Sequence, residues 1–453
     1  MRRVIAFVAV LTLASCSTVA TDETTTTSTN SSETATSVPP VATTSTVGRV
    51  IGGQLVKLDL ETLTPEPGLE PIPVFISSSS IVSDDGEWIV DFDWATVTPI
   101  DVARWQPTGT FELYRRTARV IEGDLLFVYD DRSGRILSMD LRTGERSELG
   151  KWRAGLWLQD QLHVTSDGLV VGHGGVASDD GSPQASHWVH WLDPATGASG
   201  KVEVGPIDRV EEETGIFEGD HQVPEFDTPG VVWGDDRLFI AHASPLEVMV
   251  VDPRSGRVAT HDLEARSWID QLIEFWIPAA AAKGPSLGTY SSAALSADGR
   301  FLLVSGNRYD VLVNDDGTLD EENEALGLTV VDTEAWVVVA RPELNIQFVR
   351  NAGDAVLGVE TTSTSPWVDN VYLISTDETG AVTHLGPFTV DGGGCQPARG
   401  ASLLLCSEYP SESAQRLRVI DTLTSETLSE REIGVEDHLD ENGVLVDWSP
   451  IGD

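Results

Sequence analysis

An all-β chain, folded as a β-propeller of four-stranded antiparallel blades, is what this sequence predicts, on three observations. One hairpin pattern recurs: an apolar strand ends in Asp, a turn follows and a second strand leaves, as in "ILSMDLRTGERSEL", "VHWLDPATGASGKVEV" and "VMVVDPRSGRVATHDL". A second hairpin with turn residues at its tip precedes each copy, as in "SDDGEWIVDF", "WGDDRLFIA" and "SADGRFLLVS". The tips, near residues 85, 123, 167, 235, 298, 353, 400 and 442, stand 38 to 68 residues apart, close to the length of a propeller blade.

The D-x-x-[ST]-G form of the first hairpin has a physical cause. The aspartate side chain caps the turn and the glycine supplies a positive φ. A weaker copy sits at Asp101. The folded part opens with a second-half hairpin, Gly48 to Glu66, and ends with a first-half strand pair, His438 to Trp448. Pairing the two hides sheet edges that would otherwise be exposed. Counting that closing blade gives eight blades, with seven as the alternative if the Asp101 unit forms no half-blade.

The turns "SDDGEW" and "SADGRF" resemble those of TolB-like and WD-repeat-related propellers, and "LDPATG" and "VDPRSG" are similar to the turns of quinoprotein-like and YVTN propellers. The resemblance spans most of residues 48 to 448 and implies the fold. The tryptophan on which the quinoprotein family docks its cofactor has no counterpart here, because Val204 and Asp262 stand near those places. No cofactor is therefore expected.

The N-terminus assigns an address. Met1, Arg2 and Arg3 are followed by an apolar run from Val4 to Ala14, the pattern of a signal peptide over residues 1–15 and too short to span a bilayer. Leu13-Ala14-Ser15-Cys16 resembles the lipobox of bacterial lipoproteins. That resemblance implies that Cys16 is acylated (palmitate among the chains) and becomes the mature N-terminus, with several chains holding the protein on the membrane. Residues 16–47, rich in Thr, Ser, Val and Ala with Pro39-Pro40 inside, cannot bury enough apolar surface to fold and read as a disordered tether. The propeller domain then occupies residues 48–453.

Composition narrows the function. With 72 acidic against 29 basic residues the formal charge is −43, which disfavours nucleic acid as a partner. Only Lys57, Lys151, Lys201 and Lys283 are lysines, as in acidic proteins that stay soluble in salt. Outside the cytoplasm Cys395 and Cys406, eleven residues apart across a predicted hairpin, are expected to form a structural disulfide.

Insertions and strand ends supply the candidate sites. In an insertion over about 264–290, Trp268, Leu272, Phe275 and Trp276 share one face of a predicted helix that Pro278 ends. That face either packs on the propeller or docks a partner. Gly284-Pro285-Ser286-Leu287-Gly288 matches G-x-S-x-G without the strand-then-helix order a nucleophile elbow requires. Asn314, Asp316 and Asp320 make a weak calcium candidate, since Leu312 occupies the first ligand position. His187 and His190 flank Trp188 on a predicted strand with no carboxylate to make either a base, and read as surface or core residues.

Aromatic and acidic residues follow the second strand of successive units: Asp93, Trp94, Tyr129, Asp130, His173, Tyr309, Asp310, Trp367, Asp369, Glu408 and Tyr409. Strand ends share one face of a propeller, so these form a candidate ligand face in which flat rings stack and carboxylates accept hydrogen bonds. The expected function is binding: a lipid-anchored extracytoplasmic propeller serving an envelope protein or ligand. The alternatives are a carbohydrate hydrolase or lyase with a carboxylate pair across the channel, and a solute-binding lipoprotein.

Overall fold

The computed structural model describes residues 46–433 and 446–448, apart from 52–53, 60–61, 65, 74–79, 84–85, 93–95, 114–117, 159–161, 176–186, 206–208, 212–224, 265–285, 314–318, 353–354, 365–366, 392, 399–401 and 412–413. Among the described residues there is no helix. Seven blades, each with a four-stranded antiparallel path of consecutive strands, span residues 81–107, 119–151, 157–205, 230–262, 286–340, 348–390 and 393–433. We refer to them as the first to seventh blades. The first and third add a short fifth strand, and the fifth is extended by Arg209–Glu211 and by Glu225–Thr228, which pairs parallel with Ser286–Leu295. An eighth, composite sheet joins the strands between 46 and 73 to Val446–Trp448. Repeat counting reaches eight by including that sheet, and seven is the number of blades drawn from consecutive strands.

The composite sheet forms as the sequence predicts. Thr46 stands opposite Trp448, Val47 opposite Asp447 and Gly48 opposite Val446. The unit at Asp101 is also real, because Thr96–Asp101 lies inside the first blade and pairs with Trp88–Phe92.

The turns behave as their residue types require. Asp140 accepts the N–H groups of Arg142 and Thr143 at 2.9 and 2.8 Å, and Gly144 follows at φ 71°. Asp193 and Asp252 cap their turns in the same way. These bonds use donors that would otherwise face solvent and fix where each strand reverses.

The core lies at the seams between blades, because a blade's middle strands are covered on both faces. Trp88–Phe92 is buried along its whole length. Trp88, Val90 and Phe92 of the first blade pack on Leu126, Val128 and Met139 of the second. Further clusters follow at the next seams, such as Val189 and Val202 against Leu238 and Ile240, and Leu357 and Val371 against Leu404 and Ile420.

Each seam also carries a polar link. Trp105 Nε1 donates to the Glu70 carbonyl at 3.0 Å, Trp88 Nε1 to Asp124 at 3.0 Å, and Trp152 Nε1 to the Trp191 carbonyl at 3.3 Å. Ser166 then bonds Asp236 at 2.7 Å, Ser291 Oγ accepts the Ala243 N–H at 2.9 Å, and Asn351 accepts the Leu295 N–H at 2.8 Å. Arg350 donates to the Cys395 carbonyl, and Arg431 to the Leu63 carbonyl at 2.8 Å. The series runs from the composite sheet through all seven blades and back, which closes the ring.

Two expectations change. The segment predicted as a helical insertion over 264–290 ends earlier, because Ser286–Leu295 is a strand of the fifth blade. Trp268, Leu272, Phe275 and Trp276 lie outside the described residues. Where a calcium loop was a candidate, Phe301–Val313 and Leu319–Asp332 form a hairpin that sets Leu312 opposite Asp320. Antiparallel backbone pairing with residues 309–313 holds 319–323 in a strand. Asn314 and Asp316 lie outside the described residues.

Candidate functional site

The structure separates the expected ligand face. Tyr129 is 1% exposed and His173 is fully buried. Tyr129 packs in the core of the second seam and His173 stacks on His187, so neither side chain is open to solvent. The Tyr129 hydroxyl donates to the Arg153 carbonyl at 2.7 Å and accepts the Leu156 N–H at 3.2 Å, and burial pushes its ionisation up to about 12. Asp130 caps the turn before Gly134 through Arg132 and Ser133. Asp369 is buried, and Glu408 is fully buried between Arg416 and Arg418. Burial raises the Glu408 carboxyl although the two guanidiniums oppose it.

Tyr309 is half-buried and meets Tyr290 edge-on at 5.4 Å. Asp310, Trp367 and Tyr409 stand in strands, opposite Glu322 and Thr364 for the first two. Asp93, Trp94 and Cys16 lie outside the described residues. Ser286 of the G-x-S-x-G match opens a strand, the wrong setting for a nucleophile elbow. Cys395 and Cys406 do form the expected disulfide, directly opposite one another on adjacent strands with Cα atoms 4.1 Å apart.

A different set of residues does come together. At the seam between the second and third blades lies a recess of about 220 Å³. Lys151, Trp152, Arg153, Trp188, His190 and Lys201 line it, with no carboxylate among the described lining residues. Strand Arg146–Lys151 brings Lys151 to the edge of the second blade. Trp152 and Arg153 follow that strand directly, and strands His187–Leu192 and Ser199–Gly205 bring Trp188, His190 and Lys201 from the third blade, with His190 directly opposite Lys201.

The wall is built from the core outward. Trp152 stacks obliquely between Tyr129 and His190, with centroids 5.6 and 5.5 Å away. Its backbone N–H donates to the Gly134 carbonyl at 2.8 Å. Gly134 has φ 72°, and a Cβ there would meet the Trp152 carbonyl oxygen at 2.5 Å, so only glycine lets this turn lie against the recess wall. Lys201 Nζ stands 4.7 Å over the half-buried Trp188 ring.

Two features make the recess chemically distinct. Among the described residues no ion pair engages Lys151, Arg153 or Lys201, in a chain whose net charge is −43. His190 is 5% exposed and its Nε2 has no hydrogen-bond partner among the described residues. Burial, helped by the Lys201 charge, pushes that histidine down to about 4, so the imidazole is neutral at pH 7. His187 and His190 are core residues on opposite faces of one strand. His187 stacks on His173 at 5.4 Å, away from the recess.

Sequence reasoning did not single out this site. Its one visible signal was that Lys151, one of only four lysines, directly precedes Trp152, whereas Lys201 has no tryptophan beside it in the sequence. Nothing local says that strands 50 residues apart meet.

No family model matches this sequence, and no curated protein matches it. Solved structures similar to the chain include dihydro-heme d1 dehydrogenase NirN in complex with DHE, at 14% identity over 86% of this chain and 73% of that one, with a TM-score of 0.44. BamB from Moraxella catarrhalis is similar at 13% identity over 81% and 97% of the two chains, with a TM-score of 0.39. Oligogalacturonate lyase from Vibrio parahaemolyticus is similar at 11% over 81% and 94%, with a TM-score of 0.39. These likenesses are too distant to carry a functional conclusion.

Proposed function

We propose that the protein is a lipid-anchored extracytoplasmic β-propeller that works by binding, a rigid ring held to the membrane by Cys16 through the Thr/Ser-rich segment that follows it. The observation that carries the binding half of this reading is the recess at the second seam, where cations and tryptophans converge without an acidic residue among the described lining residues. Such a lining holds and orients a ligand. The leader ending in Leu13-Ala14-Ser15-Cys16 supports the address. So does the buried Cys395–Cys406 disulfide, which suits an oxidising compartment.

An alkyne-palmitate label in cells producing the full chain tests the anchor. The wild type is expected to take up label and sediment with membranes, and Cys16→Ser to lose both. An unlabelled wild type, or a variant labelled as strongly, refutes the anchor. Photo-crosslinking from position 199, a recess-lining serine, in the same cells tests binding, with a discrete adduct expected and none refuting it.

A further inference from the structure

We infer that the recess between the second and third blades seats a sugar acid, a pyranose ring carrying a single carboxylate. The inference rests on the binding reading above and names its ligand class. Three properties of the recess converge on it.

The first is charge. Lys151, Arg153 and Lys201 line one small opening, and among the described residues no ion pair neutralises them. The rest of the chain is strongly acidic, with 72 acidic residues against 29 basic. Surface charges are screened beyond about 8 Å at physiological salt. A compact anion therefore sees the three cations, whereas an extended polyanion also meets the acidic surface around them. A lone carboxylate fits this field better than a phosphate backbone or a polyuronate.

The second is the wall. Trp188 is half-buried and Trp152 is 8% exposed, so the recess offers flat apolar surface beside its cations. The face of an indole is negative, and the C–H bonds of a pyranose face are weakly positive at hydrogen, so the two stack.

The third is His190. A buried neutral imidazole presents one donor and one acceptor nitrogen, and in the recess wall the buried His190 Nε2 has no hydrogen-bond partner among the described residues. A hydroxyl both gives and accepts a proton and so satisfies Nε2 in either tautomer, while a carboxylate only accepts. Carboxylate, flat ring and hydroxyl together describe a sugar acid, and the recess of about 220 Å³ holds one ring.

Calorimetric titration of the full mature chain with sodium glucuronate tests this, with glucose, acetate and inorganic phosphate as comparators. Glucuronate is expected to bind at least about tenfold more tightly than any of the three, the size of effect that a charged hydrogen bond supplies. Lys201→Gln and Lys151→Gln are each expected to bring glucuronate close to the affinity of glucose, with the melting temperature unchanged. Raising the salt is expected to weaken glucuronate and leave glucose unaffected. Equal binding of glucose removes the carboxylate seat, and equal binding of acetate or phosphate leaves only an anion hole. Absence of glucuronate binding by the folded wild type overturns the proposal outright. If the crosslink from position 199 persists in that case, the ligand class fails alone and the binding reading stands.

Discussion

Trp88 donates its indole N–H to Asp124 across the seam between the first and second blades, at 3.0 Å. The indole is 1% exposed, and Asp124 is shared with Arg142, which reaches it at 2.8 and 2.9 Å and lies over the Trp88 ring. The Arg142 hydrogen bond, more than any other contact, holds the Asp124 carboxyl below its ordinary range. Asp124→Ala leaves a buried N–H with no acceptor, which costs about 1–3 kcal/mol. Chemical denaturation is expected to show that loss, while Arg142→Ala, which keeps the indole bond, loses less. Equal losses would mean that the exposed ion pair carries the seam.

Closure rests on three residue pairs between Thr46–Gly48 and Val446–Trp448. A chain ending at Ile433 leaves the Thr46–Ile51 strand with an open edge, which invites pairing with another molecule. The truncated protein is expected to melt at lower temperature and to associate as its concentration rises. Sizing across a dilution series checks this, and an unchanged monomer with an unchanged melt refutes it.

Two titrations set the acid side of the stability profile. His187 and His190 are each pushed down to about 4, chiefly by burial, with His173 beside the first and Lys201 beside the second. Neutral in the folded chain and ordinary in the unfolded one, each gives stability present above about pH 6.5 and lost as pH falls toward 4, at about 1.4 kcal/mol per pH unit in between. The turn aspartates add a later loss. Asp140 and Asp421 are held down chiefly by backbone N–H groups, and Asp193 and Asp377 chiefly by threonine hydroxyls. Their contribution is present above the ordinary 3.8 and disappears below it. Comparing His187→Gln and His190→Gln with the wild type cancels the change in overall self-repulsion. Each variant is expected to flatten the slope between pH 6.5 and 4, and parallel profiles would show that the two histidines titrate normally.

The Cys395–Cys406 bond closes a segment with a sequence separation of 11. Constraint of the unfolded chain by so short a loop is worth about 3 kcal/mol. Because both cysteines are buried, at 2% and fully, the double alanine variant avoids placing polar atoms in the seam. It is expected to unfold at lower denaturant, and reductant is expected to lower the wild type toward it without affecting the variant. A reductant-insensitive wild type would contradict this.

Much of the fold was legible in the sequence because it is local and repeated. The Asp140 and Asp193 turns, the alternation within each hairpin, the cysteine pair and the union of the two ends all follow from short-range chemistry read many times along one chain. The expectation of a leader and a Thr/Ser-rich tether rests on composition and a short motif alone. Tertiary structure decided which residues face which. Tyr129 and His173 stand inside Leu125–Asp130 and Val170–Gly175, where packing withdraws them from solvent. Lys151 and Lys201 lie far apart in the chain, and only the register of two neighbouring blades places them in one recess with His190. Turns are determined within a few residues of sequence, whereas a seam is determined by two surfaces that the chain brings together only when the ring is complete.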